Sequence, residues 1–574
     1  MQTERNEKPS RNDTSDIMKI PMPYSPTRRQ ALIAIASTAS AATTTSSIPD
    51  IDSAIVKRND DALDRLMKMQ VTDPASPWLG GLPDTYGLHN PGSGSSILEV
   101  GAAAFVHPGS RFHRASDVAQ RMRLAARFLE RSQSPEGNVF LLTTNYNSPP
   151  DTGFTAHTVC NGAFIARHYG YNEIAQISRP FLLKAASALA IGGIHTPNHR
   201  WVVSSAMSQI NELYPDPRLV NRINQWLAEG IDIDSDGQYT ERSTLTYNII
   251  VDRSFVVLAS KLKRSELLDP VRRNLNSMLY LLHPGGEVVS EISHRQDLYT
   301  RGDIGRYWFP LQYMAILDQN GQFANLAQQY RDKYVSLSQL LAWPELNKPL
   351  PTSKPLPTDF EKQMPAVGIA RIRRGLTSAT LILGGNSRFF TLRQGDAVIN
   401  AVRFASAFFG KGQFIPERGE KRGNDYVFSQ SLEAGYFQPV DRKVSPSEWA
   451  AVRRERKETQ VCRLQQSATI TEIKNGFRLR VQSSGTTGVP LAVEINFREG
   501  GTLEGCMGSS LFPDTSLVAA EGSYRLGRNR IRFGPGAVAH LYTQIRGAQD
   551  KLAGPSVYVT GYTPFDHTLE FQLD

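Results

Sequence analysis

Six prolines crowd the segment Pro344 to Pro365, at positions 344, 349, 351, 355, 357 and 365. Proline fixes φ and lacks an amide hydrogen, so so dense a run stops a helix and cannot sit in a central strand. The chain is thereby divided into two stretches that fold by different rules. From about residue 55 to 345 apolar residues recur at three- and four-residue spacing. The clearest stretches are Ser116 to Ser132, Asn172 to Ala190, Arg218 to Ala228, Ser243 to Leu262, Ser265 to Leu282 and Gln322 to Leu341. No short period marks a strict solenoid, and helical hairpins with long loops between them suit an α/α toroid, an incomplete barrel. Past the prolines the pattern changes to short runs separated by Gly-rich turns, such as Ala379 to Leu383, Phe389 to Leu392, Phe477 to Val481, Leu491 to Phe497 and Val557 to Thr560. These read as strands of an antiparallel β-sandwich over residues 366–574. The expected fold class is α+β multidomain, with a toroid over 55–345, a Pro-rich linker over 346–365 and the sandwich after it.

Length agrees, since 574 residues exceed what one hydrophobic core supports. Cys160, Cys462 and Cys506 are far apart and form no CxxC pair, which supports neither a disulfide scaffold nor a cysteine-built zinc site. The formal charge is +9, which suits an anionic partner as well as it suits a solubilised surface. Zinc-finger spacing, an aromatic RNA-binding motif and a long basic run are all missing, so nucleic acid is not the expected partner. Near the N-terminus Arg28-Arg29 leads into the apolar stretch Ala31 to Ala36 and then Ser40-Ala41-Ala42, similar to a twin-arginine export signal. The apolar stretch is too short for a membrane span. Residues 1–42 are read as leader and 43–54 as linker; removing 1–42 takes six basic and four acidic residues and leaves +7. An exported protein, periplasmic or secreted, is expected.

Two segments carry the chemistry. In His195-Thr196-Pro197-Asn198-His199-Arg200-Trp201, Thr196 is a good N-cap and Pro197 suits the first helical position. Asn198 and His199 then fall in the first turn, at the positive end of the helix dipole, where an anion is favoured; the same residues would serve an ordinary capping loop. The second segment is Asp236-Gly237-Gln238-Tyr239-Thr240-Glu241-Arg242-Ser243, with Tyr247 four residues on and 48 residues after His199.

An Asn-His pair opening one helix, followed by this DG-x-Y-x-E-x-S motif and a later Tyr, resembles polysaccharide lyases of the heparinase II/III, alginate-lyase and glucuronan-lyase kind. The residue-level match is confined to about 195–300. The likeness in layout, a toroid followed by a sandwich, covers roughly 55–574. It implies that Asn198 neutralises a substrate carboxylate, that His199 neutralises or acts as base, and that Tyr247 is the general acid, with Tyr239 its rival. In Glu291-Ile-Ser-His294-Arg295-Gln296, His294 and Arg295 are candidates to complete the site, as a later His or Arg does in related lyases. One departure is plain: the sandwich has no His-rich segment of the Gly-His-x-His type, and His540 and His567 are isolated.

The chemistry asks for the same residue types. Cleaving a 4-linked uronate by β-elimination removes the C5 proton, which is weakly acidic while the adjacent carboxylate is charged. An amide, a His and an Arg at a helix N-terminus can neutralise that carboxylate and the enolate-like charge that develops. A Tyr can protonate the leaving oxygen, or act as phenolate if cations lower its ordinary pKa of about 10. Asn198, His199, Tyr247, Arg295 and His294 are the catalytic candidates. Arg200, Tyr239, Glu241, Arg253, Asp151 and Tyr146 are the expected substrate contacts, the last two in the polar loop Asn145 to Thr152 that begins a helix also carrying His157. Arg242 and Arg253 are the cations local to Tyr247.

The product expected is a 4,5-unsaturated sugar from an anionic polysaccharide. The alternatives are an α/α-barrel glycoside hydrolase with Asp236 and Glu241 as acid and base, and a non-catalytic glycan-binding protein. No cofactor is expected. Asp232-Ile-Asp234-Ser-Asp236-Gly237 mimics the start of a calcium loop, but the twelfth position is Ser243, where a bidentate Glu belongs.

Overall fold

The computed structural model describes residues 47–574. The expected leader, residues 1–42, lies outside the described residues, as do residues 43–46 of the first linker. The helical part runs from the Ser53–Met69 helix to the Leu337–Ala342 helix. Helices near one another in chain order pack side by side around a shared interior, the Pro149–His168 helix touching those at Pro91–Val106 and Pro197–Leu213, and the latter touching Tyr247–Leu262. No helix among the described residues is long and apolar enough to cross a membrane.

Several expected helices are shorter or divided, for local reasons. The run Asn172 to Ala190 is two helices, Asn172–Gln176 and Arg179–Ile191. Pro180 sits in the first turn of the second, where its missing N–H costs nothing. Gln322 to Leu341 divides likewise into Gly321–Tyr334 and Leu337–Ala342, because Ser336 and Gln339 form a reciprocal capping box that starts a new helix. Residues 243–246 are a turn outside the Tyr247–Leu262 helix.

The β part comprises an eight-stranded and a nine-stranded sheet whose inner faces bury one core. Phe390, Phe404, Ile495 and Val559 of one sheet meet Phe428, Ile470, Leu479 and Phe571 of the other. Pairing is antiparallel except between Thr515–Leu517 and Ser556–Tyr562, which run parallel.

The proline-rich segment differs most from expectation. It is no free linker. Asp359–Met364 is already a strand, at the edge of the nine-stranded sheet, and the extended residues before it hydrogen-bond the toroid, Lys354 N–H to the Gly321 carbonyl (2.9 Å). Met364, Val367, Ile369 and Ile382 belong to the same apolar core as the toroid helices. Buried Arg371 donates to the carbonyl of Leu282 (3.2 Å), and buried His283 meets the Ser378 hydroxyl at 3.0 Å. Toroid and sandwich are one packed body over the described residues.

Asp236 is central to that union. Its Oδ2 accepts from the backbone N–H groups of Ala366 (2.7 Å) and Val367 (3.0 Å), while Arg242 donates to the carbonyls of the same two residues. Asp236→Ala removes the acceptor and leaves two part-buried amides unsatisfied, each costing about 1–3 kcal/mol. Thermal unfolding should record a clear drop in Tm, smaller for Asp236→Asn, which keeps one oxygen; a Tm equal to wild type would show that the clamp carries no stability.

Candidate active site

Three segments converge: the start of the Pro197–Leu213 helix, the turn 241–247 and the loop 290–301. The second is shaped by Gly237, whose φ of +82° lies in the region that disfavours side chains; a Cβ there would stand 2.5 Å from the Arg273 carbonyl oxygen. The third is fastened to the second by buried Asp297, which accepts from the Ser243 hydroxyl and the Leu245 amide, both at 2.9 Å, and from the Ser293 hydroxyl.

Thr196 takes the N-cap backbone position and Pro197 the first helical one, as the sequence indicates. The Thr196 side chain makes no cap bond, however; its hydroxyl accepts from Asn198 Nδ2 at 3.1 Å. Asn198 Nδ2 also donates to Glu241 Oε2 at 2.6 Å, leaving the buried Oδ1 without a partner. Glu241 Oε1 lies 3.4 Å from Arg295 Nε, and the Glu241 carbonyl accepts from the His294 amide (3.0 Å). The Arg295 guanidinium covers the Tyr247 ring, 5.0 Å from its centroid. The Tyr247 hydroxyl accepts from Gln296 Nε2 at 2.8 Å. Asn198, Glu241, Arg295, Tyr247 and Gln296 thus form one connected polar chain.

His199 stands beside it, edge-on to His195 (ring centroids 4.6 Å) and to Phe154 (6.2 Å), with its buried Nδ1 unpartnered. Burial, helped by the neighbouring His195 and Arg295 and opposed by Asp151, lowers its pKa to about 4. It is a neutral imidazole at pH 7, able to accept a proton. Burial raises the Glu241 carboxyl, against the pull of Asn198 and Arg295. A cleft of about 370 Å³ is lined by Asp151, Phe154, Leu141 and Arg253; two of these neighbour His199, Phe154 by its ring and Asp151 by its charge, while the polar chain itself does not line it.

The remaining candidates land elsewhere. His294 is exposed and joins the cluster through its backbone. Arg200 is turned the other way: it donates to Asp232 (2.8 Å), Glu229 (3.2 Å) and the Gly230 carbonyl (3.1 Å) and lies over Trp201. These bonds brace the helix, and its donors do not face the cleft. Tyr239, also expected to touch substrate, is 2% exposed and donates to Asp252 at 2.8 Å, in the toroid core. Arg253 lines the cleft wall, next to the charge of Glu99. Arg242, expected near Tyr247, is drawn to the sandwich backbone, and Arg295 supplies the cation in its place.

Ser148 caps the Pro149–His168 helix by accepting from the Asp151 amide (3.2 Å), and Asp151, in the first turn, accepts from Asn145 (2.9 Å) and the Ser148 hydroxyl and lines the same cleft. Tyr146 is exposed on a hairpin of Val139–Leu141 and Asn145–Ser148, where the sequence suggested a loop. His157 is buried in the helix that follows. The three acidic side chains of the calcium-like run diverge: Asp232 pairs with Arg200, Asp234 accepts from the amides of Asp236 and Gln238 at 2.9 Å each, and Asp236 bonds the sandwich. They form no common cradle. Asp236 is for the same reason not paired with Glu241 as a hydrolytic acid and base would be.

The sequence alone does not mark Gln296 as a partner of the tyrosine, nor His195 as a neighbour that adds to the effect of burial on His199. An isolated Gln in a charged loop carries no spacing signal, and an edge-on ring contact between residues four apart is one of many outcomes of a loop-to-helix transition.

This arrangement belongs to a toroid-plus-sandwich protein, and solved structures of the same architecture exist. The chain is similar to the chondroitin AC lyase of Streptomyces coelicolor A3, determined in complex with chondroitin sulphate (13% identity, TM-score 0.53, covering 92% of this chain and 80% of that one). It is also similar to a Paenibacillus xanthan lyase (11% identity, TM-score 0.54, covering 91% of this chain). It spans 56% of the length of the xanthan lyase. At such identities the likeness is one of fold. No family model matches the sequence and no curated relative matches it.

The His199 environment yields a signed pH prediction. A histidine whose native pKa is depressed binds a proton in the unfolded chain first, so its contribution to stability is lost as pH falls from about 6.5 through about 4 and is constant above that window. NMR titration should give His199 a midpoint near 4, and His195→Gln should raise it. A midpoint at or above the ordinary 6.5 would contradict the buried, neutral imidazole.

Proposed function

We propose that this protein is a polysaccharide lyase that cleaves a uronic-acid-containing glycan by β-elimination and leaves a 4,5-unsaturated sugar. The observation that carries the reading is the connected chain Asn198–Glu241–Arg295–Tyr247–Gln296 with neutral His199 beside it. In this reading the group supplies carboxylate neutralisers, a base and an acid. The fold shared with the chondroitin AC and xanthan lyases supports the same reaction class. The finer resemblance to heparinase II/III, alginate and glucuronan lyases rests on the motifs at 198–199 and 236–247.

In this reading the uronate enters where Asn198 and Arg295 meet. Arg295 supplies the permanent positive charge, and the Asn198 amide, once turned from Glu241, supplies a donor to the carboxylate and to the enolate-like oxygen that develops. His199, uncharged above about pH 4, takes the C5 proton. Tyr247 delivers a proton to the glycosidic oxygen as the C4–O bond breaks, its hydroxyl aimed by the Gln296 amide. Glu241 positions Asn198 and Arg295. Its buried carboxyl gains proton affinity when a second carboxylate arrives, which limits repulsion between the two. Export to the periplasm or beyond, directed by the twin-arginine-type leader, suits an enzyme whose substrate is a polymer. No cofactor takes part in this scheme.

Incubation with glucuronan, alginate, hyaluronan, heparan and ulvan should raise ultraviolet absorbance from the conjugated product on at least one of them. Saturated products without absorbance would select the hydrolase alternative, and tight binding without turnover the glycan-binding one. Tyr247→Phe should reduce turnover by about 10²-fold or more while oligosaccharide binding persists, because only the acid is lost; retention of most activity would remove Tyr247 from the mechanism. Asn198→Ala should cost roughly 2.7 to 4 kcal/mol in transition-state stabilisation on the free acid. The gap should narrow on the methyl ester, and equal impairment on both would make Asn198 a structural residue.

A further inference from the structure

A second cleft, of about 310 Å³, lies at the seam between toroid and sandwich and is not used by the cluster above. Four arginines line it, Arg301, Arg388, Arg393 and Arg498, against three carboxylates, Glu287, Glu291 and Glu499. The acidic groups do not match the cations one to one. A single oxygen, Glu287 Oε1, accepts from both Arg393 Nη1 and Arg498 Nη2 at 2.8 Å. Glu291 is 3.6 Å from His283 in the wall, and Glu499 is exposed at the rim. The Nε groups of Arg393 and Arg498 are buried without a partner, a state that normally costs free energy until an acceptor arrives.

Arg388 makes no ion pair with a carboxylate; Glu494, the acidic group that acts on its charge, is already paired with Arg403. The Arg388 guanidinium lies flat over the Tyr299 ring, 3.8 Å from the centroid, and Tyr299 is itself held by Asn386 Nδ2 at 2.9 Å. Burial disfavours the Arg388 charge, so this half-buried cation, braced on its aromatic face with its edge open to the cleft, is preorganised for an anion. Arg301 stands exposed at the mouth. One loop links the two sites: Arg295 and Gln296 enter the catalytic cluster, and Tyr299 and Arg301, a few residues on, line this cleft.

We propose that the seam cleft is a second anion site, taking a carboxylate or sulfate ester, with Arg388 and Arg301 as its recognition groups and Tyr299 as the platform beneath. The carrier is the glycan itself, an assignment that rests on the lyase reading; the anion chemistry does not. A planar guanidinium offers paired N–H donors that fit either group. A polymer lying across the 290–301 loop would present one acidic substituent to Arg295 and another to Arg388.

The experiment uses the full chain and its Arg388→Ala and Arg301→Ala variants. Arg388 touches a ring and Arg301 is exposed, so both variants should fold, as circular dichroism would verify. Sulfate and inorganic phosphate, compared with chloride at equal ionic strength, should raise the Tm of wild type and not of Arg388→Ala. In calorimetry, an acidic oligosaccharide should bind Arg388→Ala about tenfold more weakly, as loss of a charge-assisted contact predicts, and the carboxyl-reduced, unsulfated oligosaccharide should not distinguish the two proteins. A Tm response lost in the variant with oligosaccharide binding intact would assign the cleft to a free inorganic anion and overturn the glycan assignment. Identical behaviour of wild type and both variants in every arm would overturn the site altogether. Absence of unsaturated product from all uronans would defeat the lyase reading while leaving these binding results to be judged on their own.

Discussion

The reciprocal clamp between the 236–242 turn and residues 366–367 is the constraint on which the site depends. Asp236 accepts two sandwich amides and Arg242 donates to the two carbonyls of the same residues. Backbone groups removed from water must find partners, and here two toroid side chains satisfy the amides and carbonyls of residues 366 and 367. Arg242 holds a positive φ of 48° within this clamp, a conformation that a non-glycine residue adopts only when its surroundings enforce it. The turn that carries Glu241 on one side and Tyr247 on the other is therefore fixed from outside the toroid.

Asp297 and Glu241 then act as paired fasteners, one buried beneath the cluster and one within it. Asp297 ties the loop 290–301 to the 243–245 backbone, while Glu241 gathers Asn198 and Arg295. Geometry of this kind holds Glu241, Arg295 and Tyr247 in fixed relation, so that in the proposed reaction the Asn198 amide is the one group of the chain that has to turn. The same architecture explains why the site is electrostatically mixed. A permanent cation over a tyrosine ring sits beside an imidazole that burial keeps neutral and a carboxyl that burial makes reluctant to ionise. Catalysis of proton transfer needs such unlike neighbours.

Several arginines lie at the seam and in the sandwich, and part of that charge is structural. Arg371 is wholly buried among carbonyls and hydroxyls, and Arg403 is paired with Glu494 at 2.5 Å deep in the sandwich. Against these, Arg388 differs because its guanidinium stacks on a ring and makes no ion pair of its own. The same residue type thus carries two jobs, and its partner decides which.

The sequence by itself determined the two folding regimes, because a period of about 3.6 and a period of 2 are written in consecutive side chains and proline interrupts both. It likewise determined the start of the Pro197–Leu213 helix, the glycine at 237 and the presence of Asn198, His199 and Tyr247 at chemically meaningful spacing, since all of these are local. Only the tertiary structure decided which partners the polar side chains take. Arg200, one residue from His199, points to Asp232; Tyr239, inside the motif, is buried against Asp252; and Arg295, 48 residues beyond Tyr247, covers that ring. Tertiary structure also turned the proline-rich segment from a spacer into an edge strand sharing the toroid's core. The physical reason is common to these cases: a long polar side chain takes whichever buried partner reaches it, and such partners come from segments far apart in sequence, where no local pattern records the encounter.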